Sequence, residues 1–482
     1  MEIINNLDSA IEYIHNLSNG RCEYELSNLP FDDRKGSLRI KDRHLELNFS
    51  LSLHESLNAI SIVDIGKFCL RNEHTMVKYI VQNKSAYLNG TTNLAADENG
   101  QYPYSISISN MMEMGWKRDQ KYFYRFFFPI EEDYWNRDID TRVYRYKSTI
   151  SRGLIPIHFD LGVMRIYPVF IEESYYLAIE SQFACSYDDM QRYIYSISLS
   201  LGLVTSVITF DFAYILASTS EDFEKGTYSG FSEMRKSIKG QYHFFTTNIY
   251  SLKTALEYNK VEYALSQILD ENGRVLSKLQ DLIQLDEFER IVLMLYGNDD
   301  LARAVLILIE SSTFALDYEG AMCAVALETI CSVLDNTKQG TFLENDRWKN
   351  CVVSKFEILI KQLLDSEVIS KEHAATIRKK LNGLNMPTNG DKLSVPFENR
   401  GYTLSKSEKE VIQKRNRFLH GHIIGHTYDE AYKEILYSCM ELQKLCAILL
   451  FREAGFKGYI INNAVLMGLE QAVNDKEPIL VK

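Results

Sequence analysis

Lys414-Arg415-Asn416-Arg417-Phe418-Leu419-His420-Gly421-His422-Ile423 lies between two helix-start signals, Ser407-Glu408-Lys409-Glu410 before it and Thr427-Tyr428-Asp429-Glu430 after it. Each signal is a capping box, a hydroxyl residue followed three positions on by a glutamate. The two side chains satisfy backbone amides that a helix start leaves orphaned. Gly425 interrupts the chain between the two segments, and Gly455 stands where a helix C-terminus favours a residue of positive φ. The second segment carries one apolar stripe, Ala431, Ile435, Cys439, Leu442, Cys446 and Leu449. The spacing predicts an antiparallel helical hairpin, with helices over 406–424 and 428–453.

Working back from this hairpin, the helical period extends to about residue 245. Further helices are expected over 248–268, 273–296, 298–315, 319–335, 349–364 and 370–382. Gly383, Pro387, Gly390, Pro396 and Gly401 make 382–404 read as an ordered loop. Ahead of residue 245 the pattern is different. Ile11, Ile14 and Leu17 mark a short N-terminal helix, and then apolar residues alternate with polar ones. The alternation is clearest at Leu45, Leu47, Phe49 and Leu51, at Tyr104 to Ser109, at Tyr122 to Phe128 and at Arg165 to Ile171. A helix capped by Asp188 or Asp189 interrupts these runs. The expected fold class is α+β: a β-rich N-terminal domain over 1–244, a sandwich or curved sheet, followed by an all-α region over 245–482.

The chain has 482 residues, 46% hydrophobic and 24% charged, with a net charge of −12. Such an acidic chain is not a general coat for nucleic acid. Between Lys371 and His420, however, eleven Lys/Arg face five Asp/Glu, a local excess of six positive charges. A patch of this kind can focus a phosphate backbone; its plainer reading is a solvated helix surface. The eight cysteines form no C-x-x-C pair and sit largely inside apolar runs, which predicts reduced thiols and a cytoplasmic location. The segment opening Met1-Glu2-Ile3-Ile4 has neither the basic nor the apolar run of a signal peptide. Ile194–Ala217 and Ala304–Leu334 are both interrupted by polar or acidic residues, so no membrane span is expected.

The chemistry in the hairpin rests on Arg415, Asn416 and His420. A guanidinium can hold a phosphate and stabilise developing negative charge. An imidazole can move a proton near neutral pH. Together they suit attack of an RNA 2′-hydroxyl on its own phosphate, without a metal. Lys414, Arg417 and His422 are candidate RNA contacts. Arg417 with His422 forms a second possible register. His422 and His426, one turn apart, have the spacing of two metal ligands, but no acidic or cysteine ligand stands beside them. Glu328 is a lone carboxylate on an apolar helix, and Arg415 is a candidate partner for it. Neither G-x-G-x-x-G nor a G-x4-G-K-[ST] phosphate loop occurs, and no cofactor is expected.

With Ala326-Leu327-Glu328 upstream, Arg415-Asn416-Arg417-Phe418-Leu419-His420 resembles the signature of HEPN ribonucleases. The resemblance covers roughly 285–460, and the layout is similar to that of Apea-like anti-phage proteins. It implies a metal-independent endoribonuclease that cleaves RNA, with structured or transfer RNA as substrate. It also implies a homodimer built through the HEPN domain, in which two motif helices form one composite site, and a possible phage-derived activator. Positions five apart on a helix are about 140° around and about 7.5 Å along. Two facing copies, rather than one helix, would therefore surround a phosphate. The alternative is a non-catalytic HEPN module that dimerises or binds RNA.

Overall fold

The structure, a computed structural model, describes residues 2–482 except 19–22, 29–33, 42, 53–66, 83, 90–95, 131–136, 172, 209, 246–247, 277–281, 336–342, 386–388 and 420–427. The chain is α+β and divides into two units, Met1–Asn248 with Ser277–Asn298, and Ile249–Leu276 with Asp299–Lys482. Among the described residues no helix is long and apolar enough to cross a membrane.

The first unit is built on sixteen described strands joined in one continuous ladder. Its first strand is β1 (Glu2–Ile3), followed by helix α1 (Asp8–Ser18). Towards the β1 end of the ladder are β2 (Phe123–Ile130), β3 (Thr149–Phe159), β4 (Gly162–Ile171) and β5 (Ser174–Ser181). Beyond α2 (Tyr187–Thr205), strand β6 (Phe212–Ser218) returns to pair with β2. Helix α1 packs on one face of the sheet. Tyr13 of α1 lies 6.4 Å from Tyr79 and 6.2 Å from Tyr214, rings far apart in sequence and three strands apart in the ladder. Leu7, Ala10, Ile14 and Leu17 belong to the same buried core. The described strands thus form one continuous hydrogen-bonded ladder, and the alternation read from the sequence marks its strands.

Helix α2 covers the opposite face. Its cap is Ser186, whose Oγ accepts from the Asp189 N–H at 3.2 Å, rather than either aspartate. Beside α2 lies α3 (Leu285–Gly297), with Tyr193 and Tyr296 stacked 4.9 Å apart against Phe159. Because α3 buries Phe288, Ile291, Val292 and Leu295 here, it belongs to the sheet unit and not to the helical bundle that residue 285 was expected to open.

The second unit centres on α4 (Asp299–Ser311), α5 (Leu316–Leu334) and a long C-terminal helix. Two further helices are α6 (Lys371–Gly383) and α7 (Asn389–Asn399). Helix α7 lies inside the expected loop. Leu393, Pro396 and Phe397 are buried on one side of it, so packing overrides the breakers. The hairpin consists of α8 (Lys406–Lys414), α9 (Asn416–Leu419) and α10 (Tyr428–Glu453). Helix α10 ends as expected: Gly455 has φ +83°, its N–H bonds to Arg452 O, and the Phe456 N–H bonds to Phe451 O. From Tyr437 to Phe451 the helix is buried all round, not along one stripe.

Candidate functional site

Helix α8 starts one half-turn earlier than the Ser407 signal suggests. Ser405 Oγ accepts from the Glu408 N–H at 3.1 Å, and Glu408 Oε2 accepts from the Ser405 N–H at 2.7 Å. Both Ser405/Glu408 and Ser407/Glu410 fit S-x-x-E. The first pair forms the box because Glu408 faces the bundle, where its Oε1 accepts from Tyr402 Oη at 2.7 Å and pairs with Lys444 Nζ at 3.0 Å. The second expected box, at Thr427, lies outside the described residues.

The motif does not sit on one unbroken helix. Arg415 is the C-cap of α8, and the Phe418 N–H bonds to Arg415 O. In a continuous helix the Asn416 N–H would take Ile412 O. Here Arg415 Nη1 donates to that carbonyl at 2.7 Å. Arg415 Nε donates to Glu328 Oε1 at 2.8 Å. The Arg415 side chain is 3% exposed and that of Glu328 40%, so an enclosed guanidinium reaches the surface only through its carboxylate. One turn on, Phe418 rests on Gly320 of α5, where a Cβ would stand 2.7 Å from the ring. Arg415 on Glu328 and Phe418 on Gly320 fix α9 against α5 with their chains running in opposite directions.

The other expected residues fall around this anchor. Asn416 and Arg417 are exposed. Lys414 Nζ pairs with Glu434 Oε1 at 3.1 Å on the wall of a cleft of about 910 Å3, which Ser407, Glu410, Lys433 and Tyr437 also line. His420 and His422 lie outside the described residues, as does His426. Among the described residues no group of three or more His, Cys, Asp or Glu is placed to hold a metal.

Beneath the hairpin is a polar interior that the sequence reading missed. Lys444 Nζ donates to Glu441 Oε1 and Oε2 at 2.8 and 2.7 Å, with Glu408 on its other side. Burial pushes Glu441 up against the pull of Lys444. Burial also acts on Glu408, but Lys444, Tyr402 and the Ser405 amide outweigh it and hold that carboxylate low. Lys444 thus stands between two buried carboxylates, one raised and one lowered. Tyr437 Oη donates to Glu477 Oε1 at 2.5 Å, which connects this interior to the cleft wall. Nearby, Gln443 Nε2 donates to Glu319 Oε1 at 2.9 Å; burial raises Glu319 to about 7, and that hydrogen bond offsets it only in part. The available signal was a set of charged or amide residues, Glu441, Gln443 and Lys444, inside an otherwise apolar run.

Comparison with protein-family models, curated proteins and solved structures finds no match for the chain.

Proposed function

We propose that this chain is a metal-independent endoribonuclease of the HEPN type, acting on transfer RNA as a homodimer in bacterial anti-phage defence. The observation that carries the reading is the Arg415–Glu328 pair. A guanidinium fixed by a carboxylate and a backbone carbonyl keeps one orientation at little entropic cost, which suits a group that must meet a transition-state charge. Arg415 then stabilises the phosphate as the 2′-hydroxyl attacks, His420 moves the proton, and Asn416 orients the imidazole. Lys414, Arg417 and His422 serve the RNA backbone. The β-rich unit is the sensor, and a phage-derived component is the trigger. No cofactor is required.

A second reading, a dimerising or RNA-binding module without catalysis, is favoured by one specific observation. Arg415 is enclosed and already paired, which leaves Arg417 as the exposed cation of the motif. Incubation of the full chain with total transfer RNA in EDTA separates the two. Cleavage with 2′,3′-cyclic phosphate ends supports the enzyme; binding without cleavage, persisting with phage components added, supports the module.

A further inference from the structure

Glu180 on β5 is the cross-strand partner of Arg125 on β2 and also of Arg165 on β4. Three neighbouring strands thus place two guanidiniums about one carboxylate on the α1 side of the sheet. Arg125 Nε donates to Glu180 Oε2 at 2.6 Å, Arg165 Nη2 donates to Oε1, and Tyr167 Oη donates to Oε2 at 2.7 Å. The side chains of Arg125, Arg165 and Glu180 are 2%, 10% and 1% exposed. Burial would raise Glu180, but the two guanidiniums and the tyrosine hold it below the usual carboxylate range. The buried cluster therefore sets two guanidiniums about one fully buried carboxylate, with the partly exposed Glu2 carboxylate as a second, more distant counter-charge at 3.9 Å from Arg165. A buried charge that lacks a counter-charge is costly.

Arg125 also ties down the N-terminal segment, donating one N–H from each Nη to Asn6 O at 3.0 Å and Asn5 O at 3.2 Å. Arg165 is less fully used. It reaches Ile3 O at 3.3 Å and Glu2 only at 3.9 Å, and its Nε is buried with no hydrogen-bond partner among the described residues. Both arginines line a pocket of about 390 Å3, which Asn5 and Gln182 also border. The volume is that of a small-molecule site. Its rim has the opposite charge: Glu221 and Asp222 close it, in a loop tied to the N-terminal segment by Asn6 Nδ2 donating to Asp222 O at 2.7 Å.

We propose that this pocket binds a free amino acid or a closely similar small zwitterion, its carboxylate against Arg165 and Arg125 and its ammonium against Glu221 and Asp222. A plain anion would meet the acidic rim, and a plain cation would meet the guanidiniums. A zwitterion satisfies both, and its carboxylate would give Arg165 a closer counter-charge than Glu2. The site lies within the sheet unit, and its residues are not those of the proposed ribonuclease chemistry.

Thermal unfolding and calorimetric titration of the full chain with each of the twenty amino acids tests this, with propionate and propylamine as the two halves of the zwitterion. The expected result is a raised Tm and one-site binding for at least one amino acid, with neither half binding comparably. Glu221→Gln, an exposed rim change that leaves the buried cluster intact, should weaken that binding at least about tenfold, and Arg165→Lys should do the same by removing the fork. No binding by any of the twenty, propionate binding as tightly as the amino acid, or unchanged affinity in Glu221→Gln would overturn the proposal.

Discussion

Arg415 Nε donates to Glu328 Oε1 at 2.8 Å across two helices whose pairing residues are 87 positions apart in the chain. The guanidinium is enclosed and the carboxylate is half in water. Removing the charge from Glu328 therefore strands a buried cation. Glu328→Gln should cost about 1–3 kcal/mol in denaturant unfolding, the range for a hydrogen bond to a charged group. It should also lower RNA cleavage by loosening Arg415. Unchanged stability would show that the pair does not hold the motif in place.

Gly320 gives the motif segment its second anchor. A methyl group there would stand 2.7 to 3.1 Å from three atoms of the Phe418 ring. Gly320→Ala should destabilise by about 1–3 kcal/mol through overpacking, although alanine is the better helix former. Phe418→Ala in the same background should recover part of the loss. A double-mutant cycle measures this coupling, and additive effects would mean that the two residues do not press on each other.

Glu319 makes the second unit sensitive to pH. Its carboxyl is raised to about 7 by burial, against an unfolded value near 4.5. The sign follows from proton binding, because the folded state holds this proton more tightly. Its contribution is fully present below pH 4.5 and is lost as pH rises through 7. Gln443 Oε1, buried and without a hydrogen-bond partner among the described residues, gains a potential donor when Glu319 is protonated. Glu319→Gln should flatten the stability profile between pH 5 and pH 8 and stabilise the protein at the upper end by up to about 3 kcal/mol. Urea unfolding at several pH values reads this directly; a profile as steep as that of the unmodified chain would place the titration elsewhere.

Arg417 is exposed and can be changed without disturbing the core. If it contacts RNA phosphate, Arg417→Ala should weaken binding similarly for all sequences and reduce the slope of log affinity against log salt by about 1. A change confined to one sequence would argue for base contact instead.

How much of this was legible depends on where the packing information lay. The strands around Leu45–Leu51 and Arg165–Ile171 could be read because alternation is local. The end of α10 could be read because Gly455 at positive φ terminates a helix by itself. The Glu328–Arg415 contact was accessible because Glu328 is a lone carboxylate on an apolar helix and needs a partner, for which Arg415 was a candidate. Helix α7 was hidden because Pro396 signals a break, while the burial of Leu393 and Phe397 that sustains the helix is a tertiary fact. The interruption at Arg415 was hidden for a similar reason: it involves a side chain taking a backbone acceptor. The Arg125–Glu180–Arg165 cluster was present as charged residues inside alternating runs, but only the strand register brings them together.

His420 carries the central claim. Cleavage of total transfer RNA in EDTA by the full chain, alone and with phage components, compared with His420→Ala, tests it most directly. The expected result is cleavage by the unmodified chain that leaves 2′,3′-cyclic phosphate ends and falls by about 100-fold or more in the variant, the scale of a lost general acid or base. The variant should keep the same unfolding midpoint. Equal cleavage by both proteins would contradict the assignment.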